Sequence, residues 1–474
     1  MRLHPRLPYL HATSQGVEKT FSERTIVRMS ENIYGRERIV LATFGSFGDV
    51  HPYVALALEM KRRGLRPVIV TGEVNREKIE SLGIEFHPMR PAVPAMDTPE
   101  GAEVIDKVVD LKHGAEYLFK EMLAPSVRDS YEDLRAAARG AHLLITHPIV
   151  LAGPALAQKK GIPWFSSVLA PASLWSAYDP FVPPTMPWLE PVLRFGGPTL
   201  ARAFKRLIEA ATQSWVKPVY AFRKELRLPA GGHPLFDGQY SPELNLALFS
   251  KVLYRPQADW PANTAVTGFP FYDRKDNSGI QPEIPSFLDS GPAPIVFTLG
   301  SSAVHIAGDF FRESIKAAAA LNRRAILLVG ADQNRPAGPL PDGVAAFNYA
   351  PYGELLPRAA AVVHHGGVGT TGQALRAGVP TLIMPFNHDQ PDNAARVERL
   401  GVSRTIPRRK YEAGRVAAEL KELLGNPAYA ERAMSVGREV RAEDGAAAAV
   451  DLIVEKLRWT SFKVASGRRL SAVA

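Results

Sequence analysis

The residues with the clearest chemical potential lie in HHGGVGTTG, residues 364–372, where two histidines run into a glycine-rich turn. From Gly367 onward the glycines have the G-x-G-x-x-G spacing of a dinucleotide-binding turn. Such a turn at the start of a helix presents free N–H groups and the positive end of the helix dipole. The stretch therefore predicts a diphosphate site. The two histidines have no role in the dinucleotide fingerprint, so the ligand stays open at this point.

Two ligands are compatible with this turn. A nicotinamide dinucleotide is favoured by the order strand, glycines, helix, strand, and by Asp389, which lies about 20 residues beyond the first glycine, where a ribose-binding acid belongs. Against it, other predicted strands of the same domain precede the turn, whereas the fingerprint normally opens a domain. In the alternative, His365 donates to a phosphoryl oxygen of another diphosphate, and Thr370 and Thr371 add hydroxyl donors.

The elements that must position this turn alternate between buried strands and helices, as in parallel sheets. One series opens with IVLATF (39–44), GSFGD, a helix from Pro52 and PVIVT (67–71), and a second opens with PIVFTLGSS (294–302). We therefore expect an α/β protein of two doubly wound, Rossmann-like domains that face each other, with ligands at the carboxyl ends of the strands. Further strands are predicted at 142–146, 163–168, 244–249, 325–330, 344–350, 360–365 and 381–386.

A segment rich in Pro, Asn and Asp separates the two series and indicates a linker. The predicted organisation is a flexible extension over 1–36, a first domain over 37–255, the linker over 256–275, a second domain over 276–457 and a basic tail over 458–474.

Composition narrows the class of protein. The net charge of +9 is mild for 474 residues and is not concentrated in one run, so no nucleic-acid partner is expected. The absence of cysteine excludes disulfides, thiolate catalysis and cysteine-ligated metals. No segment has the length of an apolar membrane span or the pattern of a secretory signal. We expect a cytoplasmic protein whose positive charge is compatible with peripheral contact at the inner membrane surface.

A longer stretch resembles the donor-binding signature of the family 1 glycosyltransferases of the GT-B fold. The run YAPYGELLPRAAAVVHHGGVGTTGQALRAGVPTLIMPFNHDQPDNA, residues 349–394, matches it in order, and the likeness extends from about Ile39 to about Leu457. GSFGDVHP (45–52) and QADWPANTAVTGFPFYD (257–273) look most like rhamnolipid-forming rhamnosyltransferases, and also resemble sterol and macrocycle glucosyltransferases. The resemblance implies that the first domain binds an acceptor and the second a nucleotide sugar.

The resemblance implies roles for individual residues of the second domain. His365 corresponds to the diphosphate histidine, although His364 fits that position equally well in the rhamnolipid enzymes. Asp389 and Gln390 correspond to the pair that binds the sugar hydroxyls. Gln373 stands where many members have a glutamate that binds both ribose hydroxyls, and this change suits a deoxyribose donor. The predicted donor-binding residues are Gly300, Ser301, Ser302, Tyr349, Tyr352, His364, His365, Gly366, Gly367, Gly369, Thr370, Gln373, Asp389, Gln390 and Asn393.

Glycosyl transfer from a sugar diphosphate requires a base for the acceptor hydroxyl. Asp49 lies where the resemblance places that base, and His51 is the alternative because its ordinary pKa is closer to neutral. Either residue could instead serve only to cap the helix that begins near Pro52. The segment 105–131 predicts an amphipathic helix beside the acceptor. The predicted lining of an apolar acceptor site consists of Trp164, Trp175, Tyr178, Phe181 and Trp188.

The sequence thus predicts an inverting glycosyltransferase that moves a hexosyl group from a UDP-hexose or a dTDP-deoxysugar, such as dTDP-rhamnose, to a hydroxyl of a hydrophobic acceptor. Hydroxy-fatty acids, sterols and polyketides are the acceptor classes considered. No cofactor and no catalytic metal are expected, because the histidines and carboxylates lack ligand spacing. The alternatives are an NAD-dependent oxidoreductase that uses GVGTTG, a nucleotide-sugar epimerase of the same architecture, and a non-catalytic nucleotide-sugar sensor.

Overall fold

The computed structural model describes residues 37–273 and 281–471, with side chains as far as residue 458. The predicted extension over 1–36 lies outside the described residues. Two parallel sheets are present, as expected for two Rossmann-like domains. The strands of the first sheet are β1 (Arg38–Ala42), β2 (Arg66–Thr71), β3 (Glu85–Pro88), β4 (Leu143–Thr146), β5 (Trp164–Val168), β6 (Asn245–Ala247) and β7 (Thr264–Val266). Those of the second are β8 (Ile295–Thr298), β9 (Ala325–Leu328), β10 (Val344–Phe347), β11 (Ala361–His364), β12 (Thr381–Ile383) and β13 (Ser403–Thr405).

Helices connect these strands and cover both faces of each sheet. The first domain contains α1 (Phe47–Arg62), α2 (Arg76–Ser81), α3 (Pro99–Val109), α4 (Gly114–Glu116, continued by a π-helix over Tyr117–Leu123), α5 (Val127–Ala137), α6 (Gly153–Lys160), α7 (Leu189–Thr212) and α8 (Lys217–Glu225). The second half contains α9 (Glu283–Asp289), α10 (Phe310–Ala320), α11 (Tyr352–Leu355), α12 (Val368–Ala377), α13 (Gln390–Arg399), α14 (Ala413–Gly425), α15 (Pro427–Arg441) and α16 (Gly445–Ser471).

The strand sequences explain the burial of the sheets. In β1, Ile39 and Leu41 belong to one hydrophobic core, whereas Val40 and Ala42 belong to the core on the other face. Successive side chains of a strand point to opposite faces, so a strand that is apolar throughout suits a sheet covered by helices on both sides.

Both sheets have a strand order that opens a crevice at one edge. The order is β3-β2-β1-β4-β5-β6-β7 in the first sheet and β10-β9-β8-β11-β12-β13 in the second. The order changes direction beside β1 in the first sheet and beside β8 in the second. Loops that leave the carboxyl ends of strands diverge at such a switch point and open a crevice there. The Gly45-Ser46 loop follows β1, and the Gly300-Ser301 loop follows β8. His364 is the last residue of the neighbouring β11, and His365 follows it. The topology therefore puts the chemically interesting loops at the two crevices.

The predicted domain boundaries need correction. The segment predicted as a linker over 256–275 contains β7, which pairs with β6 at the edge of the first sheet. The predicted second domain over 276–457 also includes the start of α16, but this helix packs on the first domain, where Ala449 and Ile453 join the core packed on α1. The backbone of the predicted basic tail continues α16 to Ser471. The strand β7 was not predicted because it is short, only partly buried and surrounded by Pro and Asn.

The helix predicted over 105–131 is interrupted. After Val109 the chain turns, and the Asp110 carboxylate accepts hydrogen bonds from the N–H groups of Lys112 (3.0 Å) and His113 (2.7 Å). An aspartate that bonds the backbone ahead of it competes with helical bonding and favours a turn. The segment therefore forms α3, α4 with its π-helical turn, and α5. Among the residues described here, no helix is both long and apolar enough to cross a bilayer.

Candidate active site

The HHGG turn lies between β11 and α12 at the carboxyl edge of the second sheet. The N-cap of α12 is Gly367, which has no side chain to cap the helix, and within the described residues no side-chain cap is present at that end. The N–H groups of the first helical turn therefore keep their capacity to bind an anion. A methyl group built on Gly369 would have no atom within 4 Å. Open space thus lies in front of the helix end that the sequence identified.

The two histidines have different surroundings. His364 is fully buried, and its Nδ1 accepts a hydrogen bond of 3.1 Å from the N–H of Gly366, which stabilises the turn. His365 lies between two glycines: a methyl group on Gly300 or Gly367 would come within 2.5 or 2.4 Å of its ring. Burial lowers the pKa of His364 to about 3 and that of His365 to about 4. Both rings are therefore neutral near pH 7, and His365 occupies the junction of the turns after β8 and β11.

Tyr352 stabilises the turn after β8 through a hydrogen bond to Thr298. The N–H of Gly300 donates to Thr298 Oγ1 (3.2 Å), which is also bonded to the hydroxyl of Tyr352 (2.8 Å). Gly300 has a φ of 67°, in the left-handed region that favours glycine. Ser301 and Ser302 follow it, and no hydrogen-bond partner is recorded for either hydroxyl among the described residues. Tyr352 thus anchors the turn through its hydroxyl, while the two serines remain candidates for ligand contact.

Asp389 precedes α13 and is tied to the HHGG turn. Asn393 Nδ2 donates both to the Asp389 carboxylate (2.7 Å) and to the carbonyl of Gly366 (2.9 Å). The side-chain oxygen of Gln390 accepts an N–H of the preceding loop (2.8 Å). Burial raises the pKa of Asp389 to about 7, and the nearby Asp49 carboxylate contributes to the increase. The HHGG turn and the predicted sugar-binding pair therefore form one unit, which Asn393 connects.

Asp49 belongs to the loop between β1 and α1. Its carboxylate accepts hydrogen bonds from the N–H (2.9 Å) and the hydroxyl (3.2 Å) of Ser46, which completes a capping box at the start of α1. A methyl group on Gly45, whose φ is 120°, would lie 2.4 Å from this carboxylate. Burial raises the pKa of Asp49 to about 6 in spite of the Ser46 hydrogen bonds. Asp49 is therefore a helix cap, and it also interacts electrostatically with Asp389 of the other domain.

His51 lies in a different environment from Asp49. Its ring stacks on Phe47 with centroids 5.2 Å apart and meets the edge of Tyr272 at 5.1 Å. Its Nε2 contacts the ammonium of Lys78, which itself lies 4.0 Å from the centre of the Phe47 ring. The two candidates for the base thus have different partners: the Asp49 carboxylate bonds to Ser46, and the His51 nitrogen faces Lys78.

Gln373 is held by two residues that the sequence did not single out. Arg376 forms a bidentate pair with Asp273, with both distances 2.7 Å, and donates to the Gln373 oxygen (2.7 Å). Gln373 Nε2 donates in turn to Asp273 (3.3 Å). Both ends of the Gln373 amide are therefore engaged. The sequence signal that could have identified Asp273 was the run 257–273, which resembles the family and ends at this residue.

Tyr349, which the sequence predicted to pack on the nucleobase, is 44% exposed.

Trp164 lies in the core of the first domain. It is 6% exposed, and its indole N–H donates to Thr146 Oγ1 (2.8 Å). It borders a cavity of about 160 Å³ that Arg223 and Tyr240 also line. A buried indole N–H needs a hydrogen-bond partner, and Thr146 provides one. The burial of Trp164 is therefore explained without a ligand.

The other aromatic residues predicted for the acceptor site do not form a single cluster. The Trp175 ring centroid lies 4.5 Å from that of Phe181 and 4.4 Å from that of Phe236. Tyr178 is 49% exposed and Trp188 is 66% exposed. The structure therefore brings Trp175 and Phe181 together and leaves Tyr178 and Trp188 at the surface.

The two domains are in direct contact beside the site. Asn387 Nδ2 donates to the carbonyl of Asp110 (2.5 Å), and His388 Nε2 donates to the carbonyl of Val108 (2.8 Å). Both carbonyls lie where α3 ends in the first domain. The loop before Asp389 is consequently fixed against the first domain. Sequence reasoning missed these residues, because their partners are nearly 300 positions away in the chain and no local pattern marks such contacts.

Comparison with known proteins agrees with this architecture. Residues 39–126 match the family model of the glycosyltransferase family 28 N-terminal domain, and residues 312–456 match that of the erythromycin biosynthesis protein CIII-like C-terminal domain. O-mycaminosyltylonolide 6-deoxyallosyltransferase of Streptomyces fradiae is 33% identical over 437 residues, which cover 88% of this chain and 97% of that protein.

More distant relatives extend the comparison. Sterol 3-beta-glucosyltransferase of Leptosphaeria maculans is 28% identical over 442 residues, or 88% of this chain, but this chain matches only 29% of that longer protein. The crystal structure of the glycosyltransferase VinC in complex with dTDP superposes with a TM-score of 0.65 at 20% identity, covering 89% of this chain and 99% of VinC. The last similarity concerns the fold alone.

Two Rossmann-like domains in contact with each other give this chain the GT-B fold. The chain belongs to the family 1 glycosyltransferases. The predicted fold and enzyme class are confirmed. The oxidoreductase, epimerase and sensor alternatives are wrong, and the G-x-G-x-x-G spacing at Gly367 is part of a glycosyltransferase turn.

The open space before α12 generates a test of the diphosphate site. We expect Gly369→Ala to leave the stability unchanged or slightly higher, because alanine is the better helix former, and to weaken dTDP binding, because its methyl group enters that space. In contrast, Gly367→Ala should lower the unfolding temperature, since its methyl group collides with His365. Thermal unfolding and calorimetric titration with dTDP measure the two effects. Unchanged dTDP affinity in Gly369→Ala would place the diphosphate elsewhere.

Proposed function

We propose that this enzyme transfers a deoxyhexosyl group from a dTDP-sugar to a hydroxyl of a hydrophobic macrocyclic or sterol-like acceptor, with inversion and without a metal ion. The observation that carries the proposal is the arrangement of Asp49 and Asp389. Two partly buried carboxylates from different domains interact beside an uncapped helix N-terminus and a neutral histidine. This set contains a base, a sugar ligand and a site for the leaving diphosphate.

In the proposed reaction, the Asp49 carboxylate takes the proton of the acceptor hydroxyl. The acceptor oxygen forms a bond to the anomeric carbon while the bond from that carbon to the diphosphate oxygen breaks on the opposite side, which inverts the configuration. The N–H groups at the start of α12 and the ring of His365 stabilise the negative charge of the departing dTDP. Asp389 and Gln390 hold the sugar hydroxyls. Asp49 is favoured over His51 because the His51 nitrogen already faces Lys78.

Metal independence is part of the same proposal. The helix end and His365 supply the charge stabilisation that Mg²⁺ provides in metal-dependent transferases. In the part of the chain that the structure describes, no three histidine, aspartate or glutamate side chains converge in a metal-binding arrangement. No cofactor beyond the nucleotide-sugar co-substrate is proposed.

The donor assignment is supported by Gln373 and by the comparisons. The relative from Streptomyces fradiae is named as a 6-deoxyallosyltransferase, and VinC was crystallised with dTDP. Gln373 has a single acceptor oxygen, and that oxygen already accepts a hydrogen bond from Arg376, whereas a glutamate carboxylate could accept from both ribose hydroxyls. A 2′-deoxyribose needs only one such bond. The acceptor class follows from the same relative, which acts on O-mycaminosyltylonolide, and from the sterol glucosyltransferases.

Product analysis tests the proposed reaction. Mass spectrometry of reactions with dTDP- and UDP-sugars and with macrolide, sterol and hydroxy-fatty-acid acceptors should detect a glycosylated acceptor that also forms in excess EDTA. Asp49→Asn should bind dTDP normally and lose transfer by at least about 100-fold, the typical contribution of a general base. For the wild-type enzyme kcat/KM should decrease as the pH falls through about 6, because protonated Asp49 cannot accept the proton. Normal turnover by Asp49→Asn would eliminate Asp49 as the base.

The donor proposal has its own test at Gln373. Gln373→Glu should raise UDP affinity relative to dTDP affinity, because one oxygen of the new carboxylate keeps the Arg376 contact and the second oxygen can accept from the ribose 2′-hydroxyl. Gln333→Glu makes the same charge change at an exposed position of the same domain and serves as the control. The ratio of the two dissociation constants, measured by calorimetry, should change only in the first variant. If the ratio of the UDP and dTDP dissociation constants is the same in both variants, Gln373 does not contribute to the choice of donor.

We further propose a cytoplasmic enzyme with peripheral contact at an anionic membrane. Phe195, before the kink of α7 at Gly197, is 96% exposed. After the kink Leu207 is 64% exposed, and Arg202 and Arg206 are exposed on the same part of the helix. Apolar side chains flanked by basic ones suit the interface of an anionic bilayer. The protein should sediment with phosphatidylglycerol vesicles at low salt, and Phe195→Ser should reduce this binding. Equal sedimentation with neutral and anionic vesicles would show that the basic side chains do not contribute to membrane binding.

A further inference from the structure

A buried ion network joins the first domain to the helix that carries the predicted sugar-binding residues. Arg396, on α13, is 3% exposed. Its Nε pairs with Asp392 of the same helix (2.7 Å), and its Nη1 pairs with Asp179 of the first domain (2.6 Å). Asp392 is completely buried. Both distances are those of charge-assisted hydrogen bonds, so one arginine bridges the two domains.

A second layer of charges surrounds this bridge. Arg194 Nη2 lies 2.6 Å from both Asp179 and Glu190, and Arg399 lies 3.4 Å from Glu190 and 3.9 Å from Asp179. With Arg396 and Asp392, the network balances three arginines against three acids. Although burial opposes ionisation, Arg396 and Arg194 hold the pKa of Asp179 below its ordinary value. Asp179 is therefore ionised at any physiological pH.

The network also holds the backbone of the first domain. The N–H of Val182 donates to the Asp392 carboxylate (3.1 Å). The ring of Tyr254 lies under the Arg396 guanidinium at 3.9 Å, and its hydroxyl donates to the Asp179 carbonyl (3.4 Å). Residues 179–182 are consequently fixed to α13 by side-chain, backbone and aromatic contacts together.

The two ends of this connection belong to different parts of the candidate site. Gln390 begins α13, and Arg396 lies less than two helical turns farther along the same helix. On the other side, residues 179–182 include Phe181, which packs on Trp175. A short, straight helix transmits a change of position along its length. The network therefore connects the segment predicted to bind the sugar with the segment predicted to bind the acceptor.

We propose that Asp179 and Arg396 are positioning residues that couple the two substrate sites. A donor diphosphate bound at the HHGG turn fixes α13, because Asn393 of that helix donates to the carbonyl of Gly366. The network then holds residues 175–185 in the arrangement that receives the acceptor. This inference rests on the proposed function for the identity of the two ligands. The contacts themselves do not depend on it. Removing one partner leaves an uncompensated charge in a buried place, so the coupling is sensitive to a single substitution.

Hydrogen exchange with dTDP as the only ligand tests the coupling. In the wild-type protein, dTDP should slow amide exchange in residues 175–185 by about tenfold, within the range of allosteric couplings. In Asp179→Asn, which keeps the shape and removes the charge, exchange in this segment should be faster without ligand and should respond less than about twofold to dTDP. The dTDP affinity, measured by calorimetry, should stay within about threefold of wild type.

Two further variants distinguish positioning from general destabilisation. Asp179→Glu retains the charge and should recover most of the dTDP response. Glu132→Gln breaks an exposed ion pair with Arg135 in the same domain and should leave the response unchanged. If amide exchange in residues 175–185 of Asp179→Asn matches the wild-type rate, either without ligand or with dTDP, the proposal is wrong. Failure of the wild-type protein to bind dTDP or UDP would overturn the proposed function instead, and the ligand-free exchange of Asp179→Asn would still decide whether the network holds the segment.

Discussion

Parallel strand pairing is the constraint on which the rest of this structure depends. Each recorded strand pair in the two described sheets is parallel, so the carboxyl ends of neighbouring strands lie on a common edge. The loops after β1, β8 and β11 leave from these edges at the points where the strand order changes direction. This geometry allows His365 to lie between the glycines of two different turns. It also allows Asp49 of one domain to influence the ionisation of Asp389 of the other.

The charges of the molecule are distributed in a way that suits transfer from a diphosphate. At the candidate site the histidines are neutral, and burial brings the pKa values of two aspartates close to neutral pH. Fully ionised groups lie instead in the network around Arg396, where each charge has a partner. The site therefore combines neutral hydrogen-bond donors with a carboxylate that can accept a proton, and the permanent charges hold the domains together.

The sequence predicted much of the fold, because apolar strands followed by glycine turns are local signals. It missed β3, β7 and β13, which are short and lie towards the edges of their sheets, and it did not reveal that α16 returns to the first domain. Residues of the site were predicted where a continuous motif carries them, as in the run from Tyr349 to Asn393. Asp273, His388 and Arg396 were missed because their importance arises from partners far away in the chain.

The sequence by itself determined the class of the protein, because the histidines, the glycine turn and the Asp389-Gln390 pair lie in one short stretch, residues 364–390, and their spacing can be read without the fold. Tertiary structure decided which of these residues work together. It gave His51 and Asp49 different partners, engaged Gln373 with Asp273 and Arg376, and divided the predicted aromatic cluster between the core and the surface. The physical reason is that burial and electrostatic coupling depend on distances in space, and those distances are set by packing between segments that no local pattern relates.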